Sequence, residues 1–197
     1  MSLKVSKFFR ILLLAPVIGG ILLTAIMLFK PYIFVSVLQF ILSVVTIVVL
    51  PILAYPVSYL VPQIRHKGRD GQRELAIVFS IVGYVLGFAF CFVFQSSPEQ
   101  KALFLTYVLS VLLIALFSFV FKVKASGHAC GVSGPIAYST IFISPWCAVF
   151  FISLALVYIS SIKLKRHTPS QLFLGSVIPI LSLVVAFTVF IPLGFVV

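Results

Sequence analysis

Acidic side chains are nearly missing from this chain: Asp70, Glu74 and Glu99 are the whole supply in 197 residues. So few carboxylates do not furnish the oxygen cage that a hard divalent cation needs, nor a pair of acids for paired-carboxylate catalysis, and no metal or other cofactor is expected. Cysteine is scarce too. Cys91, Cys130 and Cys147 stand among apolar neighbours without C-x-x-C spacing, which excludes a disulfide framework or a zinc site and leaves three small buried hydrophobes. Charge of any kind is thin, at 9% of residues, and the net charge of +11 comes in small clusters between apolar runs. That spacing suits membrane flanks and anionic headgroups and excludes a nucleic-acid-binding face.

What is present is hydrocarbon: 62% of residues are hydrophobic and the mean hydropathy is +1.30. No soluble core hides that much apolar surface, so the expectation is an all-α, polytopic membrane bundle of six to seven transmembrane helices, built as one domain over 1–197. Lys4, Lys7 and Arg10 precede a run from Ile11 to Phe29, too long for a signal-peptide core and ending at Lys30-Pro31 without a small-residue cleavage site. It reads as the first span. The run from Tyr32 to Val61 exceeds the roughly 20 residues a bilayer needs, with Pro51 and Pro56 as kink points. Residues 63–74 are polar and read as a loop. Further spans run from Leu75 to Phe94, Ala102 to Phe121, Ala129 to Ile143, Trp146 to Ile162 and Leu172 to Val196, the short fifth being the weakest of seven.

Threaded this way, twelve of the fourteen Lys and Arg residues fall on one face and only Lys30 and Lys101 on the other. By the positive-inside rule the basic face is cytoplasmic, and Lys4, Lys7 and Arg10 are the orientation signal least mixed with ligand binding. His66, His128 and His167 share that face. Histidines among Lys and Arg point to phosphate, which the cations bind by charge-assisted hydrogen bonds and which imidazole attacks or protonates near neutral pH.

Two stretches carry this chemistry, Lys122 to His128 with Ser126-Gly127-His128, and Lys163 to Gln171 with His167-Thr168-Pro169-Ser170-Gln171 followed by Gly175. They resemble the type 2 phosphatidic acid phosphatase superfamily, whose members carry Ser-Gly-His at one helix start and, one hairpin later, S-R-x5-H-x3-D with H-x-P-S-D-x-x-x-G. The likeness is to a divergent bacterial branch with H-T-P-x-Q, and its phosphatase-like core covers about 63–197. It implies His167 as nucleophile, His128 as the acid that protonates the leaving alcohol, and Ser126 and Gly127 as a phosphate cradle. Lys124, Lys163, Arg166, Arg65, Lys67 and Arg73 are the phosphate-binding cations, and Gln171 orients the nucleophile.

The chain also departs from that pattern. The arginine expected six residues before the nucleophile is Ser161, the K-x6-R-P motif has no strict counterpart, and Gln171 replaces an aspartate. Structural readings stand beside the chemical ones. Thr168-Pro169-Ser170-Gln171 is a helix start with a capping box, Ser126 is an N-cap, Lys163, Lys165 and Arg166 are a positive-inside cluster, and His66 is a solvated loop residue. The expected function is hydrolysis of a phospholipid or polyprenyl phosphate, as monoester or pyrophosphate, through a phosphohistidine without metal. The alternative is a phosphatase-like protein that binds anionic headgroups without turnover; a transporter is disfavoured because no span carries an ionisable residue at mid-depth.

Overall fold

The computed structural model describes residues 3–191; the side chains of Lys4, Lys7 and Arg10 and the last residues of the final expected span lie outside the described set. The described chain is helical: α1 (Leu3–Leu12), α2 (Ala15–Phe29), α3 (Val37–Leu60), α4 (Gly68–Val93), α5 (Pro98–Val120), α6 (Gly127–Phe142), α7 (Pro145–Lys163) and α8 (Pro169–Phe190). Of these, α3, α4, α5, α7 and α8 are long and apolar enough to cross a membrane. Helix is the necessary answer for so apolar a chain, because in hydrocarbon each backbone N–H and C=O must be satisfied within its own segment.

Helix starts follow local chemistry. Hydroxyls of Ser36, Ser97, Ser126 and Thr168 accept from the backbone N–H three residues on, in Gln39, Gln100, Ala129 and Gln171. Each satisfies one donor that a helix N-terminus leaves over.

Three sequence expectations change. The first apolar run is broken at Leu13–Leu14 into α1 and α2, because Pro16 has no N–H to give to the preceding turn. Residues 63–74 are a helical turn, Pro62–His66, and then the opening of α4. Charges and glycines keep that stretch out of hydrocarbon, but they do not keep it from being helical in water. Cys147 is half-buried, whereas Cys91 and Cys130 are buried; all three are free thiols. In α3 the regular helix is interrupted at Val45–Val49, which widens into a π turn just before Pro51, while Pro56 lies inside the helix that follows.

Packing places α5, α6 and α8 together at the centre, with α4 on α5, α3 on α4, and α2 on α6. The shared core includes Leu23, Ile26, Ile47, Leu103, Phe104, Tyr138 and Leu183. α7 lies outside α6 with α1 against it, and its first part, Pro145–Ile152, is a 3₁₀ helix with no fully buried residue, though Phe151 packs part-buried against the core. Exposed Val, Leu, Ile and Phe side chains cover the outer surfaces, as lipid contact requires.

Candidate functional site

The two histidine stretches meet. The Ser126 N–H donates to the Gln171 carbonyl at 3.0 Å, tying the start of α6 to the first turn of α8. Gly175, one turn further along α8, lies so close that an added Cβ would collide with the Ser126 backbone oxygen. Hydrogen bond and close packing set the spacing between the histidine stretches, and they explain why glycine follows four residues after Gln171.

At the start of α6, Ser126 is fully buried and its hydroxyl accepts from Ala129 N–H at 3.3 Å, so this side chain caps the helix. Gly127 is exposed, with open space where a Cβ would stand. That leaves the first-turn amides and the positive end of the helix accessible to an anion. Arg73, reaching over from α4, donates from Nη2 to Ser118 Oγ at 2.7 Å and to the Ala125 carbonyl at 3.2 Å. It thereby holds the loop that delivers Ser126, Gly127 and His128.

At the start of α8 the capping box is complete: Thr168 Oγ1 accepts from Gln171 N–H, and Gln171 Oε1 accepts from Thr168 N–H at 3.3 Å. The second bond identifies that Gln171 atom as the oxygen. His167 Nδ1 lies 3.2 Å from the same oxygen, which can only accept, so Nδ1 donates to it and in the neutral ring the lone pair falls on Nε2. Gln171 therefore caps the helix and orients the imidazole at once. The chain enters this turn through Lys165, whose φ of 50° is unusual for a residue with a Cβ.

His128, His167 and Gly127 line one cavity of about 780 Å³. Lys67, Arg69, Arg73, Lys124, Lys165 and Arg166 surround its mouth, and Ile77, Tyr84, Leu103, Tyr107, Ile114 and Pro179 form walls deeper in the bundle. Tyr138, also in the lining, is about 15 Å below His128 by helical rise. The volume is that of a typical small-molecule site, charged at one end and mostly apolar at the other.

Acids neutralise only part of the mouth. Lys67 pairs with Glu74 at 2.8 Å and Lys124 with Asp70 at 2.9 Å. Arg166 is half-buried, its Nε has no hydrogen-bond partner, and its pKa is held below the ordinary arginine value, first by burial and then by the Arg69 guanidinium. Like charges that lie close enough to depress one another are stabilised by a bound anion. Among the described residues, no group of three or more His, Cys, Asp or Glu could hold a metal ion. No family model, curated protein or solved structure matches this chain.

Of the residues expected from sequence, His128, His167, Gly127, Lys124, Lys67, Arg73 and Arg166 line the cavity. Ser126 and Gln171 stand behind the lining as cap and orienter, and Arg65 and Lys163 are exposed outside it. Arg69 and Lys165 belong to the lining although neither was among the expected phosphate ligands. Arg69 was within reach of sequence reasoning. Once residues 68–74 are helical, Arg69 and Arg73 stand four apart on one face, while Arg65 falls in the preceding turn.

Proposed function

We propose that the protein is a lipid phosphate phosphatase of the type 2 phosphatidic acid phosphatase kind, acting without metal through a phosphohistidine. The observation that carries this reading is His167, its Nδ1 held by Gln171 Oε1 at 3.2 Å, facing the same cationic cavity as His128. In the first half-reaction the His167 Nε2 lone pair attacks phosphorus, the bond from phosphorus to the lipid oxygen breaks, and a protonated His128 gives its proton to the leaving alkoxide. In the second, neutral His128 takes a proton from water as that water attacks the phosphohistidine, releasing inorganic phosphate and restoring His167. Arg166, Arg69, Arg73 and the Gly127 amide neutralise the charge on the transferring group, which is most of what phosphoryl transfer asks of a protein.

The same proposal places α2 to α8 across a bacterial inner membrane as seven spans, with the basic face cytoplasmic. The clustering of twelve of the fourteen cations on one side of that threading supports it. The substrate is a phospholipid phosphate or a polyprenyl phosphate or pyrophosphate, and the apolar lower walls of the cavity favour a lipid over a soluble ester.

The test is phosphate release in detergent with EDTA present, offering phosphatidic acid, phosphatidylglycerol phosphate and polyprenyl pyrophosphate. His167→Ala is expected to abolish release; equal activity in the variant overturns the mechanism. A second reading, headgroup binding without turnover, is favoured by one feature: Gln171 is neutral and cannot stabilise an imidazolium by charge. Saturable lipid binding with no release from any of these substrates would select it.

A further inference from the structure

We infer that Asp70 is a built-in competitor of phosphate: Lys124 exchanges between the Asp70 carboxylate and an oxygen of a bound phosphate, and the exchange limits how tightly the site holds an anion. Among the described residues that line the cavity, Asp70 is the one carboxylate, set against Lys67, Arg69, Arg73, Lys124, Lys165 and Arg166. Lys124 Nζ donates to both of its oxygens, at 2.9 and 3.1 Å. The contact joins the first turn of α4 to the loop that leads into α6, two residues before Ser126. A carboxylate offers an ammonium the same kind of charged oxygen acceptor that a phosphate does, so the two contend for one side chain.

The pair is not what holds that loop. Val123 N–H donates to the Phe117 carbonyl at 2.8 Å, and half-buried Arg73 grips Ser118 Oγ and the Ala125 carbonyl at 2.7 and 3.2 Å. Those bonds fix the backbone on both sides of Lys124. The Lys124 and Asp70 side chains are by contrast 52% and 65% exposed, and solvated pairs of this kind add little to stability. Releasing the lysine takes only rotation about its flexible four-carbon stem. A phosphate carries more charge than a carboxylate and is also met by Arg69 and Arg166 in the same lining, so it draws Lys124 away; when phosphate leaves, Asp70 takes the lysine back. Asp70 therefore weakens the hold on any phosphate, the inorganic product included, by occupying Lys124 and by repelling the anion with its own charge. Glu74 has no such part, since it pairs with Lys67 from outside the lining.

The exchange rests on the proposed reading of the cavity as a phosphate site but not on turnover, and calorimetry with inorganic phosphate on the full chain in detergent tests it. Asp70→Asn should bind phosphate at least about tenfold tighter than the wild type, with a melting temperature within about 3 °C of it. Lys124→Gln should bind phosphate more weakly. Adding Asp70→Asn to Lys124→Gln should then give less than about a third of the gain seen with the lysine in place, because relief of repulsion is all that remains. An equal gain in the two backgrounds means repulsion without exchange and overturns the inference. So does unchanged or weaker binding in Asp70→Asn, or a large drop in its melting temperature, which assigns the pair to the scaffold. Tighter binding in Asp70→Asn with no phosphate release from any lipid keeps the exchange and removes the catalytic reading; release without that tightening does the reverse. Absence of phosphate binding in the wild type and every variant removes both.

Discussion

The two ends of the bundle are built from the same helices and differ in how closely those helices meet. At the end away from the basic face, α3, α4 and α5 converge on Gln39, Ser43, Ser96 and Gln100, all buried. Gln39 Nε2 donates to the Phe94 carbonyl at 2.9 Å, Gln100 Nε2 to Ser43 Oγ at 3.1 Å, and the void among them is about 10 Å³, at most a single water. At the basic end the helices splay around about 780 Å³, and Arg69, Arg73 and Arg166 line the space between them. Close packing and bonded amide N–H groups serve stability at the far end, although Gln39 Oε1, Gln100 Oε1 and Ser96 Oγ are buried there without a partner; held-apart helices and clustered cations are what a ligand site requires. The contrast separates scaffold from site without reference to any other protein.

Substitutions at each end should then fail in different ways. The largest effect belongs to His167→Ala, which should lower phosphate release at least about 10³-fold, near 4 kcal/mol of transition-state stabilisation, with the melting temperature little changed. Next, Gly175→Ala forces a methyl into the Ser126 backbone and should destabilise the fold by about 2–3 kcal/mol while pulling the histidine stretches apart. Here denaturation and activity decline together, and a stable, fully active variant would show that the contact does not position the site. Gln171→Asp supplies the missing charge beside His167 and should raise turnover severalfold; Gln171→Leu should lower it, through both the lost cap and the lost orientation. At the far end, Gln100→Leu should cost about 1–2 kcal/mol in stability and leave turnover within about twofold.

The smallest expected effect has a sign worth working out. Burial and Arg69 depress the folded-state pKa of Arg166 below its unfolded value, so the folded state holds the proton less tightly than the unfolded state. Across the alkaline window between those two values stability rises with pH; below both, at neutral pH, the full penalty of the charge remains. Arg166→Gln should therefore not lower the melting temperature without ligand, while inorganic phosphate should stabilise the variant less than the wild type. A variant that melts lower and responds equally to phosphate would place Arg166 with the scaffold.

Much of the site was legible because helix-start chemistry is local. Thr168-Pro169-Ser170-Gln171 spells a capping box, and the structure contains it. The double duty of Gln171 was also open to sequence reasoning, since His167 and Gln171 stand four residues apart at a helix entrance. The start of α4 was read as a loop because polarity was taken as a mark of irregular chain, when it marked only the water boundary. The break before Pro16 went unseen because hydropathy is continuous across it and backbone hydrogen bonding is not.

By itself, the sequence determined that this chain is built of apolar helices suited to a bilayer, and where α6 and α8 begin. Those properties follow from composition and from interactions within a few residues. Only the tertiary structure decided which cations reach the cavity, and that Ser126 and Gln171 stand behind its lining as supports. These depend on the close approaches at Gly175, Gly131 and Gly19, contacts between segments far apart in the chain, which no local pattern encodes.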